Sequence, residues 1–269
     1  MIIVDVGACV GEFTDHCLEA YDVEKIIMVE PLNENVNYLL SKYRHSGILG
    51  TKVFVLAGAM SDYNGSGVLY PKIKFARIKD KKVAKALIRM EEHSMRLAKA
   101  SDDGYYSGKL NTNVFLHMPA DKYFKGLNTA SRYAGNAGSC LNMTTEDITQ
   151  NNHLLGAFYD PRIQQEVRVG TVGLMMNITG IDRIDILKLD VEGCEYKILE
   201  NVLEEKLHEK IDQIFFEDHL DKMPGMLELR SSVLKKIKDL GIEDKFLVQE
   251  EHLTYDVPLV ETEMWKEID

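Results

Sequence analysis

No apolar run in the chain approaches the roughly 18 residues that a membrane span requires, and no secretory leader precedes the first strand-like segment. A soluble, cytoplasmic protein without a membrane partner is expected. Cysteine is scarce: Cys9, Cys17, Cys140 and Cys194 form no C-x-x-C pair and no zinc-like spacing, which argues against a disulfide scaffold and leaves four reduced thiols. Glycine is missing where a dinucleotide site needs it. Such a loop reads G-x-G-x-x-G, whereas here Asp5 takes the first position and only Gly7 and Gly11 follow. Glu12 then adds a carboxylate that would repel a pyrophosphate. Positive charge is also short, with 32 Lys and Arg against 43 Asp and Glu and a net charge of −11. The basic stretch from Lys72 to Lys99 holds a single aromatic residue, Phe75, too few to stack bases along it, so nucleic acid is an unfavoured partner.

What is present begins at once. Ile2-Ile3-Val4 runs into Asp5-Val6-Gly7-Ala8-Cys9-Val10-Gly11 and then Glu12-Phe13-Thr14, the order of a strand, a glycine turn and a helix start. A turn of this kind lays a ligand against bare backbone and the first helical N–H groups. D-x-G-x-x-x-G suits S-adenosylmethionine, which has no phosphate and carries a cationic sulfonium. Nineteen residues past Gly11, the apolar strand Ile26-Ile27-Met28-Val29 ends in Glu30-Pro31, where a carboxylate can accept hydrogen bonds from both ribose hydroxyls. Asp5, Gly7, Ala8, Cys9, Gly11, Glu12, Phe13, Glu30 and Pro31 are therefore candidate cofactor-binding residues.

Strand and helix alternate as far as Asp62: strand 2–6, helix 11–21, strand 26–29, helix 33–44 and strand 52–57, half of a doubly wound, mostly parallel α/β sheet. The pattern returns at 184 and continues through a strand at 213, a helix around 226–240 and apolar segments near 246–249 and 257–260. Between the halves, after the strand-like Gly65–Tyr70, lies a stretch too long for an ordinary crossover. It reads as a largely helical cap inserted at 71–162 within a single domain spanning 1–269. Lys72 to Lys99 holds ten Lys or Arg against Asp80, Glu91 and Glu92, a net +7. Lys79, Lys81, Lys82, Lys85 or Arg89 could face an anionic acceptor, although a solvated face on a core-packed helix accounts for them better. Tyr105, Tyr106 and Tyr133 sit in glycine-containing loops of the kind that gate pockets.

Downstream, Ile184 to Asp190 alternates like a buried strand and breaks into Val191-Glu192-Gly193-Cys194-Glu195, and Gln213-Ile214-Phe215-Phe216 ends in Glu217-Asp218-His219. With Val4 to Thr14, Val29-Glu30-Pro31 and Leu56 to Asp62, these segments resemble the FkbM family of S-adenosylmethionine-dependent methyltransferases. The most specific piece is Lys188-Leu189-Asp190-Val191-Glu192-Gly193-Cys194-Glu195. The resemblance implies a class I, Rossmann-like methyltransferase fold and O-methylation of a sugar or other natural-product hydroxyl. It adds Ala59 and Met60 to the cofactor candidates, and Lys188 and Glu192 as substrate contacts. Cys9 departs from the family, which usually carries Asn in the glycine loop.

Methyl transfer to an alcohol requires the oxygen to be placed about 3 Å from the methyl and its proton to be removed. Asp190 is the first candidate base, with His219 and Glu217 as alternatives from the neighbouring strand end. Two acids and a histidine fit Mg or Mn only loosely, so a divalent metal is possible but not favoured. Glu195, at a helix start, reads as structural. The expected reaction is methylation of a sugar, nucleotide-sugar or glycan hydroxyl. An RNA or small-polyphenol methyltransferase, or a non-catalytic cofactor-binding module, are the alternatives.

Overall fold

The computed structural model describes residues 1–71, 140–144, 147, 164–219 and 226–249. The cap's basic segment, its tyrosine loops and the apolar segment near 257–260 lie outside the described residues. Six strands, β1 (Ile2–Val6), β2 (Lys25–Glu30), β3 (Val53–Ala57), β8 (Ile184–Leu189), β9 (Ile211–Glu217) and β10 (Phe246–Gln249), form one sheet in the order β10-β9-β8-β1-β2-β3. Every pairing in it is parallel. The carboxyl ends of all six strands therefore share one edge, and β1 lies in the middle, where the direction of winding reverses.

Side chains alternate across this sheet with period two. Ile3, Ile26 and Met28 face a cluster containing Phe13 and Cys17 of α1 (Glu12–Ala20) and Leu39 and Tyr43 of α2 (Asn33–His45). Val4, Ile27, Leu187 and Ile214 face the opposite cluster, built from α3 (Val172–Thr179), α4 (Glu195–Glu204) and α5 (Leu227–Leu240). Helices on both faces make the doubly wound arrangement. Each fully buried aliphatic side chain stabilises it by about 1.5–3 kcal/mol. Among the described residues no helix is long and apolar enough to cross a membrane.

A second, smaller sheet stands beside the first. β4 (Ala59–Met60), β5 (Gly65–Tyr70), β6 (Cys140–Leu141) and β7 (Gln165–Gly170) pair in the order β4-β7-β5-β6, with β5 antiparallel to both neighbours. Leu69, Leu141, Val167 and Val169 pack there with Leu32 and Cys194, which come from the loops at the carboxyl edge of the main sheet. The amide of Gly58 donates to the Glu30 carbonyl (3.1 Å), and Gln165 spans the two sheets by donating to the Pro31 carbonyl (2.7 Å) and accepting from the Asn33 amide (3.3 Å). This small sheet walls one side of the cleft above the strand ends.

Candidate active site

The turn after β1 is fixed by backbone contacts on both sides. Gly7 donates to the Val29 carbonyl (2.9 Å), and Asp190 donates to the Val6 carbonyl (3.0 Å). Gly7 has φ +78°, and a Cβ there would overlap the Asp190 carbonyl group, 2.7 Å from its carbon. The close approach of the two loops requires glycine. Cys9, with φ 49°, is also left-handed, a conformation that asparagine adopts more readily than cysteine. From behind, Lys42 donates to the Val10 carbonyl (2.8 Å) and pairs with Asp15, while Tyr43 donates to Asp15 (3.0 Å) and the Gly11 carbonyl (3.2 Å).

Glu30 is buried at the end of β2, and its carboxylate accepts from the Cys9 amide (2.9 Å), the Leu32 amide (2.9 Å) and the Asn35 side chain (3.2 Å). Burial pushes its pKa from 4.5 to about 7, against the opposing pull of those hydrogen bonds. A carboxylate offers about four acceptor sites. With these bonds in place Glu30 has room for roughly one more, so bonding both ribose hydroxyls would require it to release a partner.

Beneath the turn, Asp5 and Lys188 face each other as register partners on β1 and β8. Both are buried, and the Lys188 ammonium lies 3.2 Å from Asp5 and 3.2 Å from Asp190. Thr14 donates to the other Asp5 oxygen (2.8 Å). The oxygen facing Lys188 makes no hydrogen bond of good geometry, so charge holds that contact.

A second polar cluster sits where β8 and β9 end. Glu195 is buried at the start of α4, accepts from the Val191 amide (3.0 Å) and the Gly193 amide (2.9 Å), and meets His219 Nδ1 at 2.7 Å. His219 Nε2 faces Glu217 (3.4 Å) and Glu192 (3.7 Å). Burial alone would discharge this histidine, but the charge of Glu195, hydrogen bonds donated to Glu195 and Glu217, and the nearby Asp190 together raise its pKa well above 6.5 and favour the protonated form. Ligand atoms of Asp190, Glu192 and His219 lie within 4.8 Å of one another, a set able to take a divalent cation. For Nε2 to coordinate, His219 would first have to lose its proton.

One cavity at the carboxyl edge collects Gly7, Cys9, Glu30, Pro31, Ala59, Met60, Asp190 and Glu192 from the residues singled out by sequence. The others stand elsewhere. Asp5 and Lys188 are buried below it, and Phe13 is buried and stacks on Phe215 with ring centroids 6.1 Å apart. Ala8 is buried behind the turn, Gly11 caps α1, Glu12 is exposed in its first turn, and Glu217 and His219 meet beside the cavity. Lys188, expected as a substrate contact, has its ammonium engaged by two carboxylates inside the protein. Sequence reasoning missed Gly58, Leu69, Leu141 and Cys194, which help to form the wall. Leu141 lies inside the 71–162 stretch read as an insertion, and no local pattern ties it to a site formed so far upstream.

No Lys, Arg or His is among the described residues lining the cavity, whose polar side chains are the carboxylates of Glu30, Asp190 and Glu192. Those carboxylates are anionic acceptors, which suit a cationic or hydroxyl-bearing ligand.

A family model described as the methyltransferase FkbM domain matches residues 5–242. Two curated proteins, each named "Probable methyltransferase-like protein 24", from Rattus norvegicus and Homo sapiens, are 45% identical over 49 residues. The match covers 18% of this chain, 14% of the rat protein and 13% of the human one. No solved structure matches the chain.

Proposed function

The chain belongs to the FkbM methyltransferase family, and from that premise we propose that it is an S-adenosylmethionine-dependent O-methyltransferase acting in the cytoplasm on a hydroxyl of a sugar or glycan. The observation that carries the cofactor assignment is the cavity lined by the glycine turn and three carboxylates with no basic side chain among its described residues. Four free thiols accord with a reducing compartment. When bound, the cofactor supplies an electrophilic methyl group, and the Gly7–Cys9 backbone and Glu30 would hold it.

Asp190 lines the cavity and is the general base of this reading, taking the acceptor's hydroxyl proton as the oxygen is brought in line. The Lys188 ammonium donates to one Asp190 oxygen (3.2 Å) and fixes the carboxylate's orientation. His219 contacts Glu192, Glu195 and Glu217, which favour its protonated form, so in this reading it gathers those carboxylates rather than acting as a base. Glu192 is then placed to accept a hydrogen bond from a neighbouring acceptor hydroxyl. The set of Asp190, Glu192 and His219 could hold Mg or Mn, but this mechanism routes no step through a metal.

Calorimetric titration with S-adenosylmethionine, S-adenosylhomocysteine and NAD tests the cofactor. Micromolar binding of the first two, weakened at least tenfold in Glu30→Ala, is expected. Binding of NAD alone, or of none, would overturn the reading. With binding in hand, transfer of labelled methyl to a panel of sugars and glycans tests the acceptor class, and Asp190→Ala should abolish transfer while cofactor binding persists.

A further inference from the structure

Asp5, Lys188 and Asp190 form a continuous line of charge from the core to the cavity. Asp5 is 0% exposed and Lys188 is 2% exposed, while the Asp190 side chain keeps 24% of its surface. The single ammonium stands 3.2 Å from each carboxylate and 5.6 Å from the centre of the Phe13 ring. It is also 3.5 Å from the carbonyl of Gly7, the residue at which the cofactor turn begins. Two carboxylates and one ammonium leave one net negative charge, and its outer carboxylate lines the cavity. Buried charges are poorly screened by salt, so that charge is felt across a cavity of this size.

We propose that the Asp5–Lys188–Asp190 triad sets the charge selectivity of the cofactor site, favouring a sulfonium ligand over its neutral thioether product. The inference rests on the assignment of S-adenosylmethionine as cofactor. Methyl transfer turns a cationic sulfur into a neutral one, so a site with net negative charge holds the reactant more firmly than the spent product. Lys188 moderates this preference by cancelling one of the two carboxylates. The sulfonium is attracted by one charge and not by two.

The test is the ratio of dissociation constants for S-adenosylhomocysteine and S-adenosylmethionine, measured by calorimetry on the full chain. Asp5→Asn keeps an acceptor for Thr14 and brings the triad to zero net charge, and should lower the ratio about fivefold. The double variant Asp5→Asn/Lys188→Met restores one negative charge, on Asp190, and should restore the wild-type ratio. Should Asp5→Asn fail to fold, Asp190→Asn makes the same charge change nearer the surface and should lower the ratio likewise. Packing damage weakens both ligands together and leaves their ratio alone. A ratio within twofold of wild type in Asp5→Asn or Asp190→Asn, with both ligands still bound, would overturn the proposal, as would a double variant whose ratio stays at the Asp5→Asn value. Failure of the wild type to bind either ligand would instead remove the cofactor assignment and this inference with it.

Discussion

Glu30 shows how one residue can be foreseen in place and not in behaviour. Its position at the end of an apolar strand was legible in the sequence; its near-complete burial and its bonds to Cys9, Leu32 and Asn35 depend on a loop folded back over it. Burial raises its pKa from 4.5 to about 7. A group whose folded pKa is raised contributes stability that is fully present below the unfolded value and lost as pH rises through the folded one. Between about pH 4.5 and 7, unfolding free energy should therefore decline by up to roughly 3 kcal/mol on account of this group. Urea denaturation of wild type and Glu30→Gln across that window checks it, and an equal slope in both would contradict the assignment. The surroundings of Lys188 were illegible for a related reason, because its buried partner Asp5 lies on the neighbouring strand β1 and far away in sequence.

At the scale of elements, the strand–turn–helix unit at the start of the chain was the most legible part, because glycine spacing and apolar period act locally. Gly7→Ala should cost at least about 3 kcal/mol and abolish cofactor binding, since the added methyl meets backbone of the loop after β8. Gly47 has a similar φ, +76°, with nothing within 4 Å of a built Cβ, so Gly47→Ala should cost only about 1 kcal/mol. Comparing the two thermal midpoints separates backbone preference from collision. His219 shows what local reading cannot supply, because its charge is set by Glu192, Glu195 and Glu217, contributed by the loop after β8, by α4 and by β9. Its raised pKa contributes stability below pH 6.5 that is lost as pH rises through the folded value. As pH rises above 6.5, wild type should lose unfolding free energy more steeply than His219→Gln. Parallel slopes would argue against the imidazolium.

For the molecule as a whole, period-two alternation revealed strands without revealing which sheet each one joins. β5 and β7 have the pattern of any half-buried strand, and only their antiparallel register, Gly65 opposite Val169 through Leu69 opposite Gln165, separates them from the main sheet. Gln165 links the two sheets beside Glu30, so Gln165→Ala should lower unfolding free energy by about 1–2 kcal/mol. It should also weaken S-adenosylmethionine binding several-fold, and loss of stability with unchanged affinity would show that the two sheets are energetically independent at the site.

The central place of β1 also has a consequence in time. The Ile2 amide finds its acceptor on Asp185, 183 positions later, and the whole of β8 must arrive before β1 is paired on both sides. At about 5–20 residues per second, roughly ten to forty seconds of synthesis separate the two strands. Throughout that interval this largely apolar strand has an open edge, so the nascent polypeptide is a natural client for ribosome-associated chaperones.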